Sequence, residues 1–112
     1  MQIRKNYMEV NPELLYAEVR DFAIKQGATL DENLLETYTL PDQSADFVSR
    51  GTLSFKCKDG DKECLRAHIV GTPRGETKLI LDIDEALFPQ DKITALQSDI
   101  DFIFNEYEEK EE

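Results

Sequence analysis

Residues 63–84 read ECLRAHIVGTPRGETKLILDID, two alternating runs with a turn between them, and this stretch decides the fold. In the first run Leu65, Ala67 and Ile69 alternate with Cys64, Arg66, His68 and Val70. In the second, Thr77, Leu79, Leu81 and Ile83 alternate with Lys78, Ile80, Asp82 and Asp84. A period of two belongs to a strand with one buried face. Between the runs, Pro73 and Arg74 suit a type I turn and Gly75 suits the left-handed position after it. That loop sets Thr72 opposite Glu76. Ile69 then faces Leu79, Ala67 faces Leu81 and Leu65 faces Ile83. All three pairs are apolar, so turn chemistry and binary pattern agree on one register. The other face pairs Arg66 with Asp82, His68 with Ile80 and Cys64 with Asp84.

Residues 49–57 extend the pattern, with Leu53, Phe55 and Cys57 against Thr52, Ser54 and Lys56. The three runs make an antiparallel meander with one wet face. The turn after Cys57 admits two readings, a three-residue loop over 58–60 or a five-residue loop over 59–63. Both have odd length, and both put Cys57 on the core face and Cys64 on the open face. Cysteines on opposite faces of a sheet cannot bond. The expectation is two reduced thiols, as in a cytosolic protein.

Further strands are expected over 2–10 and 29–40, from loose alternation and from the β-branched and aromatic content of 34–40. Residues 41–48 read as a loop, of the kind that often carries function. Asn11-Pro12-Glu13 starts a helix: Asn caps, Pro fits the first helical position, and Glu suits the positive end of the dipole. Leu15, Val19, Phe22 and Ala23 follow at helical spacing, and Gly27 stops the helix as a left-handed cap. A second helix is expected from Pro89 to Tyr107, with Ile93, Leu96, Ile100, Ile103 and Tyr107 as its apolar stripe and Phe102 and Phe104 beside it.

The expected fold is α+β: a two-layer antiparallel sheet with helices on one face, in the order β-α-β-β-β-β-α. That order resembles the TATA-box-binding-protein-like architecture. It also looks like a shortened form of the helix-grip folds, which hold apolar ligands under a long C-terminal helix. The resemblance is one of topology and transfers no function. A ferredoxin-like arrangement is the alternative. Residues 1–107 are expected to form one domain, and the acidic tail 108–112 to fray.

The chain has 112 residues and a formal net charge of -11, with 40% hydrophobic residues and 33% charged. Such a length suits one domain that buries a core without metal or disulfide staples. A chain this acidic presents polyanions with a field of the wrong sign, so neither nucleic acid nor an anionic membrane is expected as partner. No apolar run reaches signal-peptide or membrane-spanning length, which points to a cytoplasmic protein. The charge is uneven. Residues 50–78 hold seven bases and four acids, whereas residues 82–112 hold 11 acids and two bases. The meander is mildly basic, and the rest of the chain carries the acid.

The open face is expected to hold Ser54, Lys56, Cys64, Arg66, His68, Val70, Lys78, Ile80, Asp82 and Asp84, with Thr52 beside them. It contains the only histidine, a cysteine and two carboxylates. Cys64 and His68 lie four residues apart on one strand, about 13 Å at strand rise, whereas a nucleophile and its base must nearly touch. Asp82 and Asp84 could serve as paired carboxylates, but Asp82 already faces Arg66, and an ordinary cross-strand ion pair accounts for both. With one histidine, a four-ligand zinc site is not expected. No phosphate loop, HExxH, GxSxG or EF-hand series occurs, and no catalytic, metal or cofactor residue is assigned. The expected function is a non-enzymatic binding domain that meets a protein partner or itself through the open face or the 41–48 loop. A small apolar-ligand carrier or enzyme, with a cavity under the C-terminal helix, is the alternative.

Overall fold

The computed structural model describes residues 1–39, 47–57 and 61–109. It is an α+β fold of one five-stranded antiparallel sheet and two α-helices. The strands are β1 (Gln2–Met8), β2 (Ala28–Thr39), β3 (Phe47–Cys57), β4 (Glu63–Gly71) and β5 (Glu76–Ile83). The helices are α1 (Pro12–Lys25) and α2 (Gln90–Phe104), and a 3-10 turn follows over Asn105–Tyr107. The sheet order is β1-β5-β4-β3-β2. The element order departs from the β-α-β-β-α-β of a ferredoxin-like arrangement.

The connection from β1 to β2 must cross the whole sheet, because these strands lie at opposite edges. Helix α1 makes the crossing. Its 14 residues reach about 21 Å, close to the roughly 19 Å width of five strands. Its start is capped as its residues dictate: the Asn11 Oδ1 accepts the Glu13 amide at 2.9 Å, and Pro12 takes the first position. Its end turns through Gly27 at φ +92°, a conformation open to glycine. Leu15, Tyr16, Val19 and Ala23 are its buried face.

The core lies between the helices and one sheet face. Leu53, Phe55, Leu65, Ala67, Ile69, Leu79, Leu81 and Ile83 come from the strands, and Ile93, Leu96, Ile100 and Phe104 from α2. The β4–β5 register is the one set by the Pro73–Gly75 turn, with Leu65 opposite Ile83 and Ile69 opposite Leu79. Tyr7 of β1 packs its ring on Phe104 with centroids 5.8 Å apart.

Three expectations are corrected. First, Cys57 and Cys64 form a disulfide, with Cα atoms 5.9 Å apart. Phe55 pairs with Leu65 but Lys56 pairs with Glu63, so Cys64 is the extra residue of a β-bulge. A bulge breaks the strict alternation on which the parity argument rested, and it turns Cys64 onto the core side beside Leu65. Cys64 is 1% exposed. Second, the apolar stripe of α2 is Ile93, Leu96, Ile100 and Phe104, not one continued through Ile103 and Tyr107. Phe102 is 91% exposed, and Ile103 and Tyr107 also face outward. Third, residues 108 and 109 of the tail read as frayed are docked. Glu108 bridges Tyr7, and the Glu109 amide donates to the Asn6 carbonyl at 2.7 Å. Residues 110–112 lie outside the described residues.

Candidate functional site

Both helices pack on one side of the sheet, and among the described residues nothing covers the other side, the bare face. The pairings arrange that bare face in rows running across all five strands. One row is Gln2, Asp82, Arg66, Ser54 and Glu32. The next is Arg4, Ile80, His68, Thr52 and Leu34. A third is Asn6, Lys78, Val70, Arg50 and Glu36. The row ends are polar except at Leu34, and they flank a central strip in which Ile80, His68 and Val70 are half-buried. A depression of about 360 Å³ opens on this face between β3 and β4, lined by Arg50, Thr52, His68 and Val70 among others.

Eight of the ten residues expected on this surface are there. Ser54 is on the face by register but only 1% exposed. Its hydroxyl accepts the Glu32 amide at 3.1 Å. Lys56 reaches Asp31 at 3.6 Å. Lys78 reaches Glu76 at 3.6 Å. Arg66 stands opposite Asp82, as the turn requires, yet its guanidinium goes to Glu63 instead. That contact is a fork, 2.7 Å from Nη2 and 3.0 Å from Nε. The hydrogen bond to Glu63 leads the causes that push the Arg66 pKa above its ordinary value. Asp82 accepts from the Gln2 side-chain Nε2 at 2.8 Å.

Cys64 and Asp84 are not on the face. Cys64 is bonded to Cys57 on the core side. Asp84 lies past the end of β5, where its backbone amide donates to the Cys64 carbonyl at 2.9 Å. Its carboxylate accepts the Ala86 amide at 3.0 Å in the turn leading to α2. The Cys-His-Asp and paired-carboxylate readings therefore lose their geometry: the sulfur is oxidised and behind the sheet, and one carboxylate serves a turn. Among the described residues no group of three or more His, Cys, Asp or Glu is placed to hold a metal ion.

The outer strands contribute what the meander alone did not show. Arg4 of β1 adds one base, whereas Glu32 and Glu36 of β2 add two acids along the same rows. The mild positive charge of the meander is thereby partly offset: the three rows hold Arg4, Arg50, Arg66 and Lys78 against Glu32, Glu36 and Asp82, a nearly charge-balanced mosaic around an apolar centre. Which β2 residues share this face depends on a second bulge, between Leu30 and Glu32, which shifts the alternation by one. Strand propensity in 34–40 carried no sign of it.

Under α2, where the alternative reading places a cavity, Ile93, Leu96, Ile100 and Phe104 are buried and fill the core. The apolar cleft of about 350 Å³ nearby is instead on the outside, between Val10 and Leu14 at the start of α1 and Ile103, Phe104 and Tyr107. Residues 41–46 of the expected loop lie outside the described residues, and Phe47 and Val48 belong to β3. No described helix is long and apolar enough to cross a membrane. No family model matches this chain, and no curated protein matches it either.

Proposed function

We propose that this protein is a small non-enzymatic binding domain whose bare sheet face meets a protein partner or a second copy. The observation that supports this is a five-strand surface left uncovered by both helices, with Ile80, Val70 and Leu34 among charges of which Lys56, Arg66 and Lys78 pair with neighbouring acids. Paired charges around apolar side chains have the make-up of a protein-binding surface: the apolar centre favours burial, and the rim sets orientation. A nearly charge-balanced face offers little positive field to a polyanion, in keeping with the expectation of no nucleic-acid partner. The TATA-box-binding-protein-like or shortened helix-grip topology is part of the same reading, supported by the element order and the one-sided helices. The cytoplasmic placement is in tension with the Cys57–Cys64 bond, since such bonds persist chiefly in oxidising compartments.

Light scattering of the wild type, Val70→Asp and Ile80→Asp at micromolar concentration tests self-association through the face. A parallel capture of partners on immobilised wild type and Ile80→Asp tests the partner version. Both variants are expected to stay folded, because the substituted side chains sit on the half-open side. Species lost from the variants support the proposal. A strict monomer, with a captured set that Ile80→Asp leaves unchanged, ends it.

A further inference from the structure

The two edges of the sheet are treated differently. At one edge, β1 has seven residues and is covered in part by the chain end, through the Tyr7–Glu108 bridge and the Glu109 amide on the Asn6 carbonyl. It also carries Lys5, which pairs with Glu108 at 3.2 Å. At the other edge, β2 has twelve residues, and its outer side meets no strand among the described residues. Strands average about five or six residues, and edges are normally blunted by shortness, proline, charged side chains (lysine above all) or a bulge. β2 contains no proline or lysine, its charged residues are Asp31, Glu32 and Glu36, and its one bulge lies near its start, between Leu30 and Glu32. Beyond the bulge, Glu32–Thr39 pairs with β3 without interruption. Leu34 is 56% exposed, Leu35 39% and Tyr38 48%.

We infer that β2 is a homodimer edge: two copies pair antiparallel through β2 across a two-fold axis at Leu35. The axis of the longest pairing lies in the middle of the uninterrupted run 32–39, and charge chooses among Leu34, Leu35 and Glu36 there. A two-fold antiparallel pairing opposes residues placed symmetrically about the axis. An axis at Leu34 sets Glu32 of each copy against Glu36 of the other. An axis at Glu36 sets that carboxylate against its own copy. An axis at Leu35 opposes Leu35 to itself, Asn33 to Thr37, Leu34 to Glu36 and Glu32 to Tyr38. No like charges stand directly opposite, the carboxylates of Glu32 and Glu36 meeting only as diagonal neighbours, and the paired length, 32–38, stays clear of the bulge. The two Leu34 side chains become diagonal neighbours on the bare face, and the two Leu35 side chains meet on the helix side. The product is one ten-stranded sheet with both bare faces on the same side. This inference is independent of what the bare face binds.

The test is disulfide trapping of the full chain under mild oxidation. The native cysteines are bonded to each other, so Leu35→Cys supplies one free thiol. On the axis its two copies lie within bonding range, whereas two copies of Asn33→Cys stand about 13 Å apart along the strands. Leu35→Cys is expected to cross-link at least about tenfold faster than Asn33→Cys. Sedimentation adds a second reading. The wild type is expected to dimerise between about 5 and 200 µM, more strongly as salt rises from about 20 to 300 mM, because the pairing chains repel. Leu34→Glu, which sets an acid against Glu36, is expected to weaken the dimer at least about tenfold, whereas Leu34→Lys keeps it. Equal trapping at positions 33 and 35, or a wild-type monomer throughout that range, overturns the inference. Ile80→Asp separates the two surfaces: it leaves trapping at position 35 unchanged if β2 is the interface, whatever happens to binding by the face.

Discussion

Reducing the Cys57–Cys64 bond is the perturbation whose size can be worked most directly from the structure. The cysteines are 7 positions apart, so the bond closes a loop of about eight residues. In the chain-entropy account a loop of that length removes about 8 cal/mol/K from the unfolded ensemble, or about 2.5 kcal/mol at 25 °C. The folded state should change little. Both cysteines are buried, and Leu65 beside the bulge holds β4 in the core with or without the bond. The loss therefore falls on stability and not on fold. An unfolding entropy of roughly 2.1 cal/mol/K per residue, over a chain of this size, converts it to a fall in Tm of about 10 °C. Thermal unfolding by circular dichroism with and without reductant measures the shift, and far-ultraviolet spectra at 20 °C should coincide. A thiol count in denaturant gives the covalent state: none before reduction, two after. Two free thiols in the unreduced, denatured monomer would refute the bond. A Tm shift below about 3 °C would refute the loop argument while leaving the bond in place.

Three other outcomes test the packing. The Tyr7 hydroxyl is buried with no hydrogen-bond partner among the described residues, so Tyr7→Phe should be neutral or stabilise by about 1 kcal/mol in urea unfolding; a loss above that size contradicts the reading. Burial first, then the Glu108 and Asp101 charges, push the Tyr7 pKa well above its ordinary 10.0. The folded state thus holds that proton more tightly than the unfolded chain. Its contribution is intact below pH 10 and declines as pH rises above it, by at most about 1.4 kcal/mol per pH unit. In an alkaline titration the Tyr7 phenolate absorbance should appear together with loss of the circular dichroism signal, not before it. Gly71 allows the chain to pass against Thr77, whose hydroxyl donates to the Val10 carbonyl at 2.7 Å. A Cβ there would collide with Thr77, so Gly71→Ala should cost about 3 kcal/mol in urea unfolding, and a loss under 1 kcal/mol would exclude the collision.

Much of the architecture was legible because local and long-range preferences agree. The β4–β5 register could be read residue by residue, since Pro73 and Gly75 define the loop and the opposed residues are apolar. The start of α1 was equally plain in Asn11-Pro12-Glu13, whose cap the structure contains. The β3–β4 register was not, because nothing in Glu63-Cys64-Leu65 signals a bulge before its packing is known. Helix α2 was ambiguous for a related reason. Phe102, Ile103 and Phe104 are consecutive and apolar, so two stripes fit the periodicity. Contact with Tyr7, far away in sequence, selects Phe104 and turns Phe102 into solvent.

The candidate surface divides along the same line. Arg66, His68, Val70, Lys78, Ile80 and Asp82 share a face by alternation alone, and the structure keeps them together. Their electrostatic setting was out of reach, because it comes from β1 and β2, which join the meander only through long connections. The sequence by itself determined the order of elements, the last hairpin and the face on which its residues lie, since period, turn residues and caps act within a few positions. Tertiary structure decided the disulfide, the near balance of charge on the bare face and which sheet edge meets no further cover among the described residues. Each of those depends on where a bulge slips the alternation or on which distant strand comes to lie alongside, and neither is encoded in any short window of the chain.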